Sequence, residues 1–150
     1  MSGIKIKTKQ FIYRSYLRWQ GQKRGLLSCP NKPDIEIATP PEFKGHSGVW
    51  TPEDLFVASV NTCIMTTFLY YADKQGMDFL SYESYAEGVL EKFGNRFMIS
   101  GIEIKPKILV KQVADIQKVE RLIKLSEKNC LISNSIKSKV RVTSEIKTGA

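Results

Sequence analysis

The sequence predicts an α+β fold in which extended segments flank one long apolar helix. Three observations predict it: an uncharged apolar run after Trp50-Thr51-Pro52, period-two alternation near both ends, and a Gly94-Asn95 dipeptide between two long extended runs. The implied order is strands, buried helix, strands, helix, strand, which fits one domain over the 150 residues. Antiparallel sheets packed around the long buried central helix are the expected architecture.

Ile4-Lys5-Ile6-Lys7 alternates strictly and reads as a strand with one wet face. Phe11 to Trp19, rich in aromatic and β-branched residues, reads as the next, and Gln20 to Gly25 supplies a turn. Leu26 to Cys29 returns, and Ile35 to Ala38 makes a fourth strand, so an antiparallel meander is expected. Pro40-Pro41-Glu42-Phe43-Lys44-Gly45-His46-Ser47-Gly48 is a rigid, then flexible, loop.

The central helix has its own start and stop signals. Thr51 is a cap, Pro52 suits the first helical position, and Asp54 completes a shortened capping box. Lys74 falls in the last turn and Gly76 is placed to end the helix. No charge interrupts Leu55 to Ala72, and apolar residues fall on every face, which predicts burial all round. Ser59, Asn61, Thr62, Thr66 and Thr67 lie inside the run and weigh against a membrane span.

Tyr82 to Lys92 and Phe97 to Val110 follow as a hairpin; Pro106 suggests that the second run is an edge or bends. A second amphipathic helix is expected over Asp115 to Lys128. Asn129 to Ile136 reads as a short capped helix with Cys130 in its first turn, and Lys139 to Ile146 as one closing strand.

Composition bounds the function. The chain carries 23 basic and 15 acidic residues, a formal charge of +8. The charges alternate with strand apolars and form no Arg-rich stripe, so nucleic acid is not an expected partner. The Ile-Lys alternation at the N-terminus is no signal peptide, and three cysteines are too few and odd for a secreted disulfide framework. A cytoplasmic location is expected, and with one histidine and dispersed cysteines, no zinc site.

The residues that invite chemistry are thiols. Cys130, at a helix N-terminus, would have a lowered pKa. Cys63, deep in an apolar helix, would have a raised one unless a buried cation reached it, and that cation would need a carboxylate beside it. Cys29 reads as a small strand residue and His46 as a solvated loop residue.

Trp19-Gln20-Gly21-Gln22-Lys23-Arg24-Gly25 resembles the N-terminal hairpin of the OsmC/Ohr family of thiol peroxidases. Pro40 to Gly45 and Thr51 to Cys63 resemble that family's central helix and its approach. Glu127-Lys128-Asn129-Cys130-Leu131-Ile132-Ser133 resembles its second cysteine motif, with Leu131 in place of a proline often found there. The resemblance implies an OsmC-like single domain that forms an intertwined homodimer with each site at the subunit interface. It implies Cys63 as peroxidatic cysteine, Cys130 as resolving cysteine, Arg24 (or, by a one-residue shift, Lys23) as the activating cation, and Glu53 as the carboxylate that orients it. The implied activity is reduction of organic hydroperoxides, fatty-acid hydroperoxides among them. No bound cofactor is implied; the reductant is an external dithiol, a lipoylated or thioredoxin-like protein. The alternative is a non-catalytic protein holding an apolar ligand in the dimer cleft.

Overall fold

The computed structural model describes residues 9–149, so the strand expected at Ile4 to Lys7 lies outside the described residues. The chain folds as two compact units, Met1–Pro52 and Glu53–Ala150.

The first unit contains the expected meander. Strands β1 (Tyr16–Trp19), β2 (Arg24–Ser28) and β3 (Ile35–Ala38) pair antiparallel in that order. The first strand is shorter than its composition suggests, because β2 offers partners only opposite Tyr16 to Trp19. The hairpin turn uses left-handed backbone at Gly21 and Gln22, and the Trp19 indole N–H donates to the Gln22 carbonyl at 2.8 Å. The loop expected to loosen at Gly45 is instead closed. A 3-10 turn over Pro41–Phe43 is followed by N–H groups of Gly45 and His46 donating to Pro40 and Thr39 carbonyls, at 3.0 and 2.9 Å. A Cβ at Gly45 would overlap the Thr39 carbonyl, so the close approach of two backbones requires glycine there.

The second unit is built on α1 (Pro52–Lys74), with Gly76 in left-handed conformation two residues beyond its end, as the sequence signals predict. The helix is not buried all round. Val60, Cys63, Ile64, Phe68 and Ala72 form its buried row, whereas Thr62, Thr66, Leu69 and Tyr70 are exposed. Two of the hydroxyls inside it are satisfied one turn back: Ser59 donates to the Phe56 carbonyl at 2.7 Å and Thr66 to the Cys63 carbonyl at 3.2 Å. Length and composition would let α1 cross a membrane, yet its buried row is a core-facing stripe of period three to four.

That row packs on a sheet. Strands β4 (Ser81–Phe93) and β5 (Arg96–Val110) form the expected hairpin, turning at Gly94 with φ of 60°. At Gly88 on β4, an added Cβ would come within 2.5 Å of the Val57 side chain, so α1 lies close over the strand there.

The closing segment is two strands, β6 (Lys139–Val142) and β7 (Glu145–Thr148), both parallel to β5. The sheet is therefore mixed, and β5 is its central strand, not an edge. Pro106 is tolerated in that position for a local reason. The carbonyls of Ile104 and Val110 accept from Thr143 and Gly149, so even-numbered residues in this stretch of β5 direct their backbone groups toward β6 and β7. The partners of β6 end at Ile104 and those of β7 begin at Lys107, leaving Pro106, which has no N–H, opposite the break between them. The same alternation buries Ile102, Ile104, Pro106, Ile108 and Val110 on one face.

Helix α2 (Val113–Asn129) adds Val119, Leu122 and Ile123 to a cluster with Phe68, Ala72, Ile108 and Val110. A second cluster holds Val60, Cys63, Ile64, Ile102, Ile104 and Cys130. The short helix expected to begin near Asn129 does not form. Asn129 ends α2, Cys130 follows it in extended conformation, and a 3-10 turn spans Ser133–Ser135.

Phe68 has no exposed surface and meets Phe79 edge-on at 5.3 Å between ring centres. Phe68→Ala is expected to lower the unfolding free energy by about 3–5 kcal/mol. Urea denaturation of the two proteins measures this; a loss below about 1 kcal/mol would contradict the packing described.

Candidate thiol site

Cys63 lies near the middle of α1 and reaches the sheet side because it shares the buried row with Val60 and Ile64. Cys130 comes from the far end of α2, placed by the amphipathic packing of that helix on the same sheet. Both are reduced and buried, Cys63 with 8% of its surface exposed and Cys130 with none. Two residues remote in sequence thus share one apolar cluster, and each thiol shifts the acidity of the other.

The two sulfurs differ in acidity, in the opposite sense to that expected from sequence. Burial pushes the Cys63 thiol up, but hydrogen bonds from the Ile132 N–H, the Cys130 thiol, the Thr67 hydroxyl and the Leu131 N–H outweigh it and leave the pKa below the ordinary thiol value. The Thr67 oxygen is 3.8 Å from the Cys63 sulfur. No cation figures among these causes. The raised pKa expected for Cys63 without a buried cation is not found: the donors around its sulfur lower it.

Cys130 is also corrected. It stands after the C-terminus of α2 rather than at a helix N-terminus, so the dipole offers its thiolate no help. Burial raises its pKa, and the neighbouring Cys63 adds to the rise. The pair is therefore one thiol disposed to ionise and one disposed to keep its proton. A nucleophile beside a protonated partner can carry out oxidation followed by disulfide closure.

The other candidates come from elsewhere in the sequence. Glu53 sits in the first turn of α1, ten residues or roughly 15 Å along the helix from Cys63. Its Oε2 is buried with no hydrogen-bond partner among the described residues. Arg24 opens β2 in the first unit and is exposed, while the neighbouring Lys23 ammonium donates to the Phe43 carbonyl at 3.1 Å. Cys29, also in the first unit, donates to the Arg14 carbonyl at 3.3 Å. Thr67, whose hydroxyl faces the Cys63 sulfur, was not singled out by sequence reasoning. It could have been, since it lies one helical turn after the cysteine.

The fold and the paired thiols define a class of small α+β dithiol proteins. The family model described as OsmC-like protein matches residues 45–145, and the chain belongs to that family. An uncharacterised protein of Bacillus subtilis, YmaD, is 23% identical over 112 residues, covering 73% of this chain and 75% of its own. An OsmC-like protein of unknown function from Vibrio cholerae superposes with a TM-score of 0.78 at 22% identity, covering 91% of this chain and 99% of that one. An organic hydroperoxide resistance protein from Elizabethkingia anophelis superposes at 0.70 with 17% identity, covering 94% and 100%.

The acidity difference has a direct readout. Because Cys63 is depressed, its alkylation by iodoacetamide should persist as pH falls below the ordinary thiol range, declining only below its own pKa. Cys130, raised, should react only at higher pH. Peptide mapping of the alkylated protein across pH 5 to 10 resolves the two; a higher midpoint for Cys63 than for Cys130 would contradict the assignment.

Proposed function

We propose that the protein is a cysteine-based peroxidase reducing organic hydroperoxides, fatty-acid hydroperoxides among them, to alcohols. The observation that carries this reading is the buried Cys63–Cys130 pair with opposed acidities. Membership of the OsmC-like family, and the likeness to a protein named for organic hydroperoxide resistance, support it.

In the first step the Cys63 thiolate attacks the terminal oxygen of the hydroperoxide. An S–O bond forms, the O–O bond breaks, and the alkoxide leaves and takes a proton to become the alcohol. Cys63 is now a sulfenic acid, oxidised by two electrons. Cys130 then attacks that sulfur, forming the disulfide, while hydroxide leaves and combines with the Cys130 proton as water. An external dithiol, on a lipoylated or thioredoxin-like protein, reduces the disulfide by exchange. A reducing cytoplasm suits this cycle.

Arg24 polarises the peroxide and further stabilises the thiolate, and Glu53 orients Arg24. The partnerless buried Oε2 of Glu53 supports this role, since an isolated buried carboxylate oxygen is costly. The engagement of Lys23 by the Phe43 carbonyl favours Arg24 as the cation. The active unit is an intertwined homodimer. The β4–β5 hairpin supports this, since Val89, Leu90, Phe93, Phe97 and Met98 all stand exposed toward its tip.

One equivalent of cumene hydroperoxide should remove two hydrogens and two free thiols per chain, measured by intact mass and thiol titration. Cys130→Ser should accumulate sulfenic acid, Cys63→Ser should lose activity, and Cys29→Ser should retain it. An unchanged mass in the native protein would sink the peroxidase reading in favour of apolar-ligand binding. Arg24→Ala is expected to cost roughly a hundredfold in peroxide reduction and Glu53→Ala roughly tenfold or more. Light scattering should give twice the 17.0 kDa chain mass; a monomer would exclude the shared site.

A further inference from the structure

We propose that Thr67 is a further catalytic residue of the thiol pair: its hydroxyl, 3.8 Å from the Cys63 sulfur, donates to that sulfur when it is a thiolate. Its part in peroxide reduction rests on the peroxidase reading, but the contact is a property of the resting protein.

The contact follows from helix geometry. Side chains on an α-helix lean toward its N-terminus, so residue 67 of α1 covers residue 63, one turn earlier on the same face. A hydroxyl inside a helix ordinarily turns back onto a carbonyl, as that of Ser59 does onto Phe56 at 2.7 Å. For Thr67 the carbonyl four residues back is that of Cys63. The helical ladder gives this carbonyl the Thr67 N–H, and the Thr66 hydroxyl takes its other lone pair at 3.2 Å. The Thr67 hydroxyl meets the sulfur instead. Its β-branch limits rotation about χ1, so the donor is held there at small entropic cost.

The direction of the bond depends on the charge of the sulfur. While Cys63 holds its proton, either atom can donate. Once the thiol ionises, the hydroxyl is the partner with a proton to give, and the bond becomes charge-assisted. Thr67 therefore favours the thiolate over the thiol, in keeping with the lowered pKa of Cys63. The surroundings make that donation count. The other side chains packed around the two cysteines, from α1, β4, β5, β6 and the turn after α2, are apolar, and the titratable group beside Cys63 is Cys130. A neutral donor acts strongly on an anion in such a medium.

The test is the pH midpoint of Cys63 alkylation by iodoacetamide, mapped by peptide mass, in Thr67→Val and Thr67→Ser. Valine keeps the β-branch and removes the hydroxyl, whereas serine keeps the hydroxyl and removes the methyl group. Thr67→Val should raise the midpoint and slow alkylation at pH 7 roughly three- to tenfold, while Thr67→Ser stays close to the native protein. Should Thr67→Val fail to fold, Thr67→Ala removes the same hydroxyl and takes its place. An unmoved midpoint in whichever folds, or an equal rise in Thr67→Ser, would overturn the inference. Sulfenic acid trapping with cumene hydroperoxide, in the same proteins carrying Cys130→Ser, keeps the two ideas separate. Its absence from all of them would sink the peroxidase reading, while the midpoint alone decides the role of Thr67.

Discussion

The packing of the Val60–Cys63–Ile64 row of α1 against Ile102 and Ile104 of β5 is the contact on which the second unit depends. It fixes the rotation of the helix about its axis, and so decides which residues of an apolar run become core. Had the helix turned by one residue, about 100°, Cys63 would leave the sheet and Thr62 or Ile64 would take its place. The alternation of β5 supplies the complementary surface, and Pro106 keeps that alternation intact because it falls opposite the break between β6 and β7. The site inherits its position from hydrophobic packing, before any polar group is considered.

Once both sulfurs lie in an apolar cluster, electrostatics divides their labour. Desolvation raises both thiols, and the difference comes from donors. Donors around Cys63, the Thr67 hydroxyl at 3.8 Å among them, bring its pKa down, whereas Cys130 is raised by its burial and by Cys63. In a medium of low dielectric such neutral donors act strongly on a developing anion.

Some elements were legible because their signals are local. The β1–β2–β3 meander, the limits of α1 at Pro52 and near Gly76, and the hairpin around Gly94 follow from turn residues, caps and periodicity. Other elements were misread where tertiary structure overrode a local rule. Pro106 implies an edge or a bend unless a gap in the neighbouring strand is known. Asn129-Cys130 looks like a helix start unless α2 is known to run into it. The apolar surface of α1 implies burial on all sides, but the sheet covers one face and leaves Leu69 and Tyr70 exposed.

The sequence by itself determined the α+β class, the long helix bearing Cys63 and, through its resemblance to OsmC/Ohr proteins, the pairing of Cys63 with Cys130. These are readable because residue type and spacing encode periodicity, capping and motif. Only the tertiary structure decided that Cys63 is the more acidic thiol and that Cys130 follows a helix C-terminus. Acidity depends on what surrounds each sulfur, and those surroundings are set when the end of α2 is packed against β5.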